Sequence, residues 1–133
     1  MFHYTLETDA PFEAVASAVE AEAPRRGFRV LHVHDVAATL AEKGFEMVPL
    51  KIIEVCNAKY AKQALDADRM VSLMMPCRIS VWAEGGKTYI STLKPTAISE
   101  YFPGKGLEVF AKDVERILEA IMESASKPAS WGR

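Results

Sequence analysis

The chain has 133 residues, enough for one domain whose core needs neither disulfides nor a metal to hold it together. Half of the residues are apolar, which excludes a disordered chain, and 16 basic and 18 acidic residues are interspersed to a formal charge of −2. The only basic cluster is Pro24-Arg25-Arg26 with Arg29 nearby, which is not the basic stripe of a nucleic-acid binder, so no nucleic-acid partner is expected.

Phe2, Tyr4 and Leu6 alternate with His3 and Thr5, and this period of two predicts a first strand. Thr8 or Asp9 can cap the following helix, with Pro11 in its first turn and Phe12, Val15, Ala16, Val19 and Ala23 as its apolar stripe. Gly27 is a natural stop, and Pro24 is expected to shorten or kink the last turn. A second strand follows over 28–33, with Phe28, Val30 and His32 expected on one face. Asp35 then caps a short helix from Val36 to Lys43, closed by Gly44.

The apolar run Leu50–Val55 reads as a buried strand, and Asn57 caps a third helix over 58–67. Residues 71–74 read as a short strand interrupted by Pro76, after which Cys77, Ile79, Val81 and Ala83 alternate along another. Glu84-Gly85-Gly86-Lys87 between alternating runs specifies a tight hairpin, since both glycines adopt positive φ easily; the return strand is 88–93. Pro95 to Gly106 reads as a loop. A last helix starts near Leu107, with Phe110, Ala111, Val114, Ile117, Leu118 and Ile121 repeating at helical spacing. The predicted domain covers residues 1–126, and 127–133 is expected to be a flexible tail.

A late antiparallel hairpin with two amphipathic helices argues for an α+β two-layer sandwich: a mostly antiparallel sheet with helices packed on one face. A doubly wound parallel sheet is the competing architecture. It needs strands apolar on both sides, whereas Arg78-Ile79-Ser80-Val81 alternates.

No apolar run is long enough to span a bilayer, and the N-terminus lacks the charged and apolar regions of a signal peptide, so no membrane partner is expected. Two cysteines do not make a secreted disulfide scaffold, and a cytoplasmic chain with reduced thiols is the default expectation.

The chemistry-bearing residues are few. Cys56 ends an apolar strand and is followed at once by a capped helix, where the helix dipole, with Lys59 and Lys62, is expected to lower its pKa. The simpler reading is a small hydrophobe in the core. Cys77 follows Pro76 at a strand start. If its strand lies antiparallel beside 50–55, the two sulfurs are brought to the same end of the sheet. His32 and His34 share a strand face and are weak candidates for a metal that a cysteine could complete. Met70, Met74 and Met75 read as core filling rather than copper ligands. Serine-nucleophile and phosphate-cradling motifs are absent, and no catalytic set or cofactor is read.

Gly27-Phe28-Arg29-Val30 after a first helix, Asp35 before Thr39-Leu40, Cys56-Asn57 with Ala61, and Met75-Pro76-Cys77 leading into Ile79-Ser80-Val81 together resemble the family called domain of unknown function 302. The resemblance runs from about Met1 to Glu123. It implies a two-layer α+β fold and a homodimer, and it implies no activity. One departure is visible: the family commonly has proline after Cys-Asn, where this chain has Ala58.

Three functions follow. The first is small-molecule binding or an accessory role, with a pocket between sheet and helices near Cys56, Asn57, Pro76 and Cys77. The second is a thiol-redox or metal-handling protein using Cys56 and Cys77. The third is a structural or protein-interaction module.

Overall fold

A computed structural model describes residues 1–129. The alternating segments form five strands: β1 (His3–Thr8), β2 (Arg29–Asp35), β3 (Leu50–Cys56), β4 (Cys77–Glu84) and β5 (Lys87–Leu93). They pair in the order β1-β5-β4-β3-β2, every neighbour antiparallel, as the α+β sandwich requires. The helices are α1 (Phe12–Arg25), α2 (Val36–Ala41), α3 (Ala58–Ala67), α4 (Pro95–Ser99) and α5 (Leu107–Ala125).

The register puts Tyr4, Leu6, Ile53, Val55, Cys77, Ile79, Val81, Ile90 and Thr92 on one face of the sheet. On that face α1 buries Val15, Ala16, Val19 and Ala23, and α5 buries Val114, Leu118, Ile121 and Met122. Period two on the sheet and period 3.6 on the helices thus meet in one apolar layer. The opposite face carries His3, Thr5, Ser80, Ser91 and a cross-strand Trp82–Tyr89 stack with ring centroids 5.4 Å apart.

The Gly85-Gly86 hairpin joins β4 to β5, with φ of +60° and +81° at the two glycines. Asp35 caps α2 by accepting from the Ala38 amide at 3.0 Å, and Asn57 caps α3 by accepting from Tyr60 at 3.1 Å. Gly27, at φ +82°, ends α1 by turning the chain so that the Phe28 amide reaches Ala23 O at 2.9 Å. Pro24 sits inside the final turn without ending it early, because α1 stops one residue later and loses only a single amide donor there.

Five expectations need correction. Neither Thr8 nor Asp9 caps α1: the N-cap position is Pro11, and the Thr8 hydroxyl instead accepts from Ala10 and donates to Ser126 O at 2.8 Å, tying β1 to the end of α5. The face of β2 switches, because Leu31 is an extra residue bulged between Val30 and His32. Val30 and Val33 therefore face the core, and His32 joins His34 on the opposite side. The apolar run of β3 is buried on one side only, at Ile53 and Val55. Residues Arg69–Met74 form a 3-10 helix rather than a strand, capped by Asp68, which accepts from the Met70 amide. The segment read as a loop after Pro95 contains α4. Of the expected tail, Lys127–Ala129 are described, with Pro128 buried, and 130–133 lie outside the described residues. Among the described residues no helix is long and apolar enough to cross a membrane.

Candidate functional site

The antiparallel pairing of β3 with β4 sets Val55 opposite Cys77, so the end of one strand lies beside the start of the other. Asn57 then turns the chain into α3. Its Oδ1 caps the helix while its Nδ2 donates to Gly27 O at 2.9 Å, which fastens the β3–α3 corner to the α1–β2 corner. A cis peptide bond precedes Pro76 as the 3-10 helix passes into β4.

Between this corner and the helices lies a cavity of about 140 Å³. Val55, Cys77 and Thr92 form its floor, α3 and the 3-10 helix one wall, and α4 with the start of α5 the other. Cys56, Asn57, Pro76 and Cys77 all line it. So do Ile98, Phe102 and Phe110, which were read from the sequence only as loop or helix stripe. Two local signals mark that second wall: Pro95 suits a first helical turn, and Ile98 and Phe102 stand at i and i+4.

The polar groups of the lining are mostly committed. Thr92 donates to Arg78 O at 2.7 Å and Ser99 to Thr96 O at 2.8 Å. Both ends of the Asn57 amide are used. The surface offered to a ligand is consequently largely apolar; Arg78, the one charged residue bordering it, alternates with Cys77 and Ile79 along β4, so its carbonyl meets Thr92 while its side chain is set on the opposite face of the sheet beside Glu54.

Both cysteines are free thiols. Burial raises the Cys56 pKa, so the expected lowering at the mouth of α3 is overturned. The physical reason is that desolvation disfavours the thiolate more than the helix end favours it. Lys62 contributes little there, because it faces Asp66 at 2.6 Å, and Lys59 is exposed. The Cys77 thiol is pushed up to about 11, by burial first and then by the neighbouring Cys56, with the Arg78 charge acting in the opposite direction. At neutral pH both thiols are protonated; Cys77 shares the core face with Val55, whereas Cys56, next along β3 and paired with Arg29, is set on the opposite face of the sheet.

His32 and His34 lie away from this site on an exposed strand face, rings edge to face with centroids 4.3 Å apart, and His34 Nε2 meets Glu54 at 3.0 Å. Among the described residues no group of three or more His, Cys, Asp or Glu side chains is placed to hold a metal ion.

The family described as "Domain of unknown function DUF302" matches residues 4–125 of the chain. A solved structure described as an uncharacterized conserved protein DUF302 from Bacillus stearothermophilus superposes with a TM-score of 0.88 at 32% identity, covering 94% of this chain and 98% of that one. No curated protein matches the chain.

Proposed function

The chain belongs to the DUF302 family, which carries no assigned activity, and from the cavity we propose that it is a small-molecule binding protein whose ligand places an apolar group between β3, β4, α3 and α5. The observation that carries this reading is the unfilled apolar space of about 140 Å³ at the end of an otherwise close-packed sheet. Protein interiors pack to crystal-like density, so a void of this size forgoes dispersion contacts that a ligand would restore. An apolar cavity of ~150 Å³ accepts a benzene-sized molecule, which sets the scale at roughly six heavy atoms.

The thiols fit this role better than a redox role. Thiolates are the reactive form, and the surroundings of Cys56 and Cys77 favour the neutral one. The Cys77 sulfur then acts as polarizable lining.

The test is titration with 1-hexanol, a neutral probe of the right size, followed by amide NMR shifts. Shifts should concentrate at Val55, Ala61, Ala64 and Phe110, and they should vanish in Ala64→Phe, which fills the space from α3. Shifts scattered over the surface, or unchanged in a folded Ala64→Phe protein, would refute the reading.

A further inference from the structure

We propose that the outer edge of β1 is an interface for a second copy of this chain. The two β1 strands pair antiparallel about a two-fold axis at Thr5, so that the sheet runs on from one copy into the other. The interface does not depend on what the cavity binds.

Three observations carry it. First, β1 ends the sheet without the devices that protect an edge. The other edge strand, β2, is broken by the bulge at Leu31 and carries the exposed Arg29. β1 pairs with β5 without interruption over all six of its residues and holds no lysine, proline or bulge. Such a strand offers a row of unpaired N–H and C=O groups to another strand.

Second, the free groups fix the register. The Lys94 amide donates to Phe2 O at 2.8 Å, so the even-numbered residues of β1 exchange hydrogen bonds with β5. By the alternation of an antiparallel ladder, His3, Thr5 and Glu7 direct their N–H and C=O groups outward. Two copies use all of these groups in one register alone, with Thr5 opposite its own image and His3 opposite Glu7 of the second copy.

Third, that register is complementary on both faces of the sheet. On the open face it sets His3 against Glu7. The His3 Nδ1 already meets Thr5 Oγ1 at 2.7 Å, which leaves Nε2 for a carboxylate. Among the described residues the one ion pair of Glu7 is a long one, to Lys87 at 3.9 Å. On the core face the register sets Tyr4 against Leu6. Both are half-buried at the rim of the apolar layer, whereas Ile79, Val81 and Ile90 on the inner strands are fully buried. Aromatic and aliphatic side chains directly opposite each other stabilise a strand pair, and the two-fold axis makes each contact twice.

The experiment is sedimentation equilibrium over a concentration series. The wild type should approach twice the chain mass of 14.7 kDa. Thr5→Pro removes an outward N–H at the centre of the pairing and no bond to β5, a position an edge strand accepts, and should be monomeric. Glu7→Lys sets a lysine against His3 and should weaken the dimer about tenfold through two symmetric pairs. Adding His3→Glu should restore it, a rescue that a general loss of stability would not show. Thr5→Cys should cross-link to its own image under mild oxidation, because residues paired across antiparallel strands lie within disulfide reach. A wild type that stays at the monomer mass throughout the series overturns the proposal. So does a dimer that survives both Thr5→Pro and Glu7→Lys, which would place the interface elsewhere. If Thr5→Pro does not fold, the charge swap and the cross-link decide, and failure of both overturns it.

Discussion

The centre of the sheet and its α3 end are made by the same strands and differ in what covers them. At the centre, Ile53, Ile79, Val81 and Ile90 lie under the long helices α1 and α5, and all four are fully buried against Val15, Val19, Leu118 and Ile121. At the α3 end, Val55, Cys77 and Thr92 lie under α3, the 3-10 helix and α4. α3 buries no residue fully, and α4 buries only Ser99. The 14 residues of α1 and 19 of α5 supply continuous stripes of side chains at 3.6-residue spacing, whereas the 10 of α3, 6 of the 3-10 helix and 5 of α4 are too short to close the layer. The difference shows how one sheet carries a stability region and a ligand-sized space without a separate domain.

The sharpest way to break this comparison is to make the same truncation in both regions. Ile53→Ala at the centre should cost about 2–5 kcal/mol in urea unfolding, because a sealed void opens in packed surroundings. Ile98→Ala at the cavity wall should cost ~1 kcal/mol, since the side chain already borders open space. Equal losses would mean that the α3 end is packed as tightly as the centre.

The legible part of the molecule follows from periodicity. Alternation marked the strands, Gly85-Gly86 marked the hairpin, and the stripes of α1 and α5 marked the buried helices, because each is a repeated pattern that the backbone geometry enforces. Asn57 was legible as a cap for a local reason, its side chain satisfying an amide three residues on. That Cys56 and Cys77 fall at one end of the sheet was legible conditionally, and the antiparallel β3–β4 register supplies the condition; the same register pairs Cys77 with Val55 and so sets Cys56 on the other face, which does not make the two a pair. Three features left no periodic trace. The bulge at Leu31 adds one residue and thereby reverses which side the later residues of β2 face. The helix α4 is five residues long, too short for a stripe. The cavity is a shortfall in packing among several short segments, and no single segment encodes it. The thiol acidity expected at Cys56 failed for a related reason: a helix end is visible in sequence, whereas the burial that outweighs it is a property of the assembled walls.

That burial yields a second way to separate the two regions, through pH. The Cys77 thiol is held neutral in the folded protein, with its pKa at about 11 against an ordinary value of 9.0. The sign follows directly. Below pH 9 the thiol is protonated in both folded and unfolded chains and its full stabilisation is present. As the pH rises toward 11 the unfolded chain ionises first, and stability is lost. Relative to Cys77→Ala, the wild type should lose on the order of 2 kcal/mol across that window. The subtraction matters, because lysines and tyrosines titrate in the same range and are common to both proteins. Thiol labelling of the native protein should likewise accelerate about tenfold per pH unit up to that value. A pH dependence identical in the two proteins would place Cys77 in water and remove the dry floor of the cavity.

The smallest effect tests whether the α3 end is held in place by a few specific bonds rather than by packing. Asn57 makes two: its carbonyl oxygen caps α3, and its amide nitrogen reaches Gly27 O across the molecule. Asn57→Ala removes both and should cost ~1 kcal/mol, a typical capping loss. Asn57→Asp keeps an acceptor for Tyr60 and removes the donor to Gly27, so it isolates the long-range bond. The comparison between regions gives the location of the response. In a centre held by packing, loss of one cap would be absorbed, and amide exchange would change little in α1 or α5. At the α3 end there is no buried stripe on α3 to compensate, so exchange should rise selectively in Ala58–Ala67. If Asn57→Asp protects α3 as well as wild type does, the cap alone orders the cavity wall. If exchange rises in α3 despite the retained cap, the bond to Gly27 is what holds that wall over the strands, and the shape of the cavity depends on a contact between residues thirty positions apart.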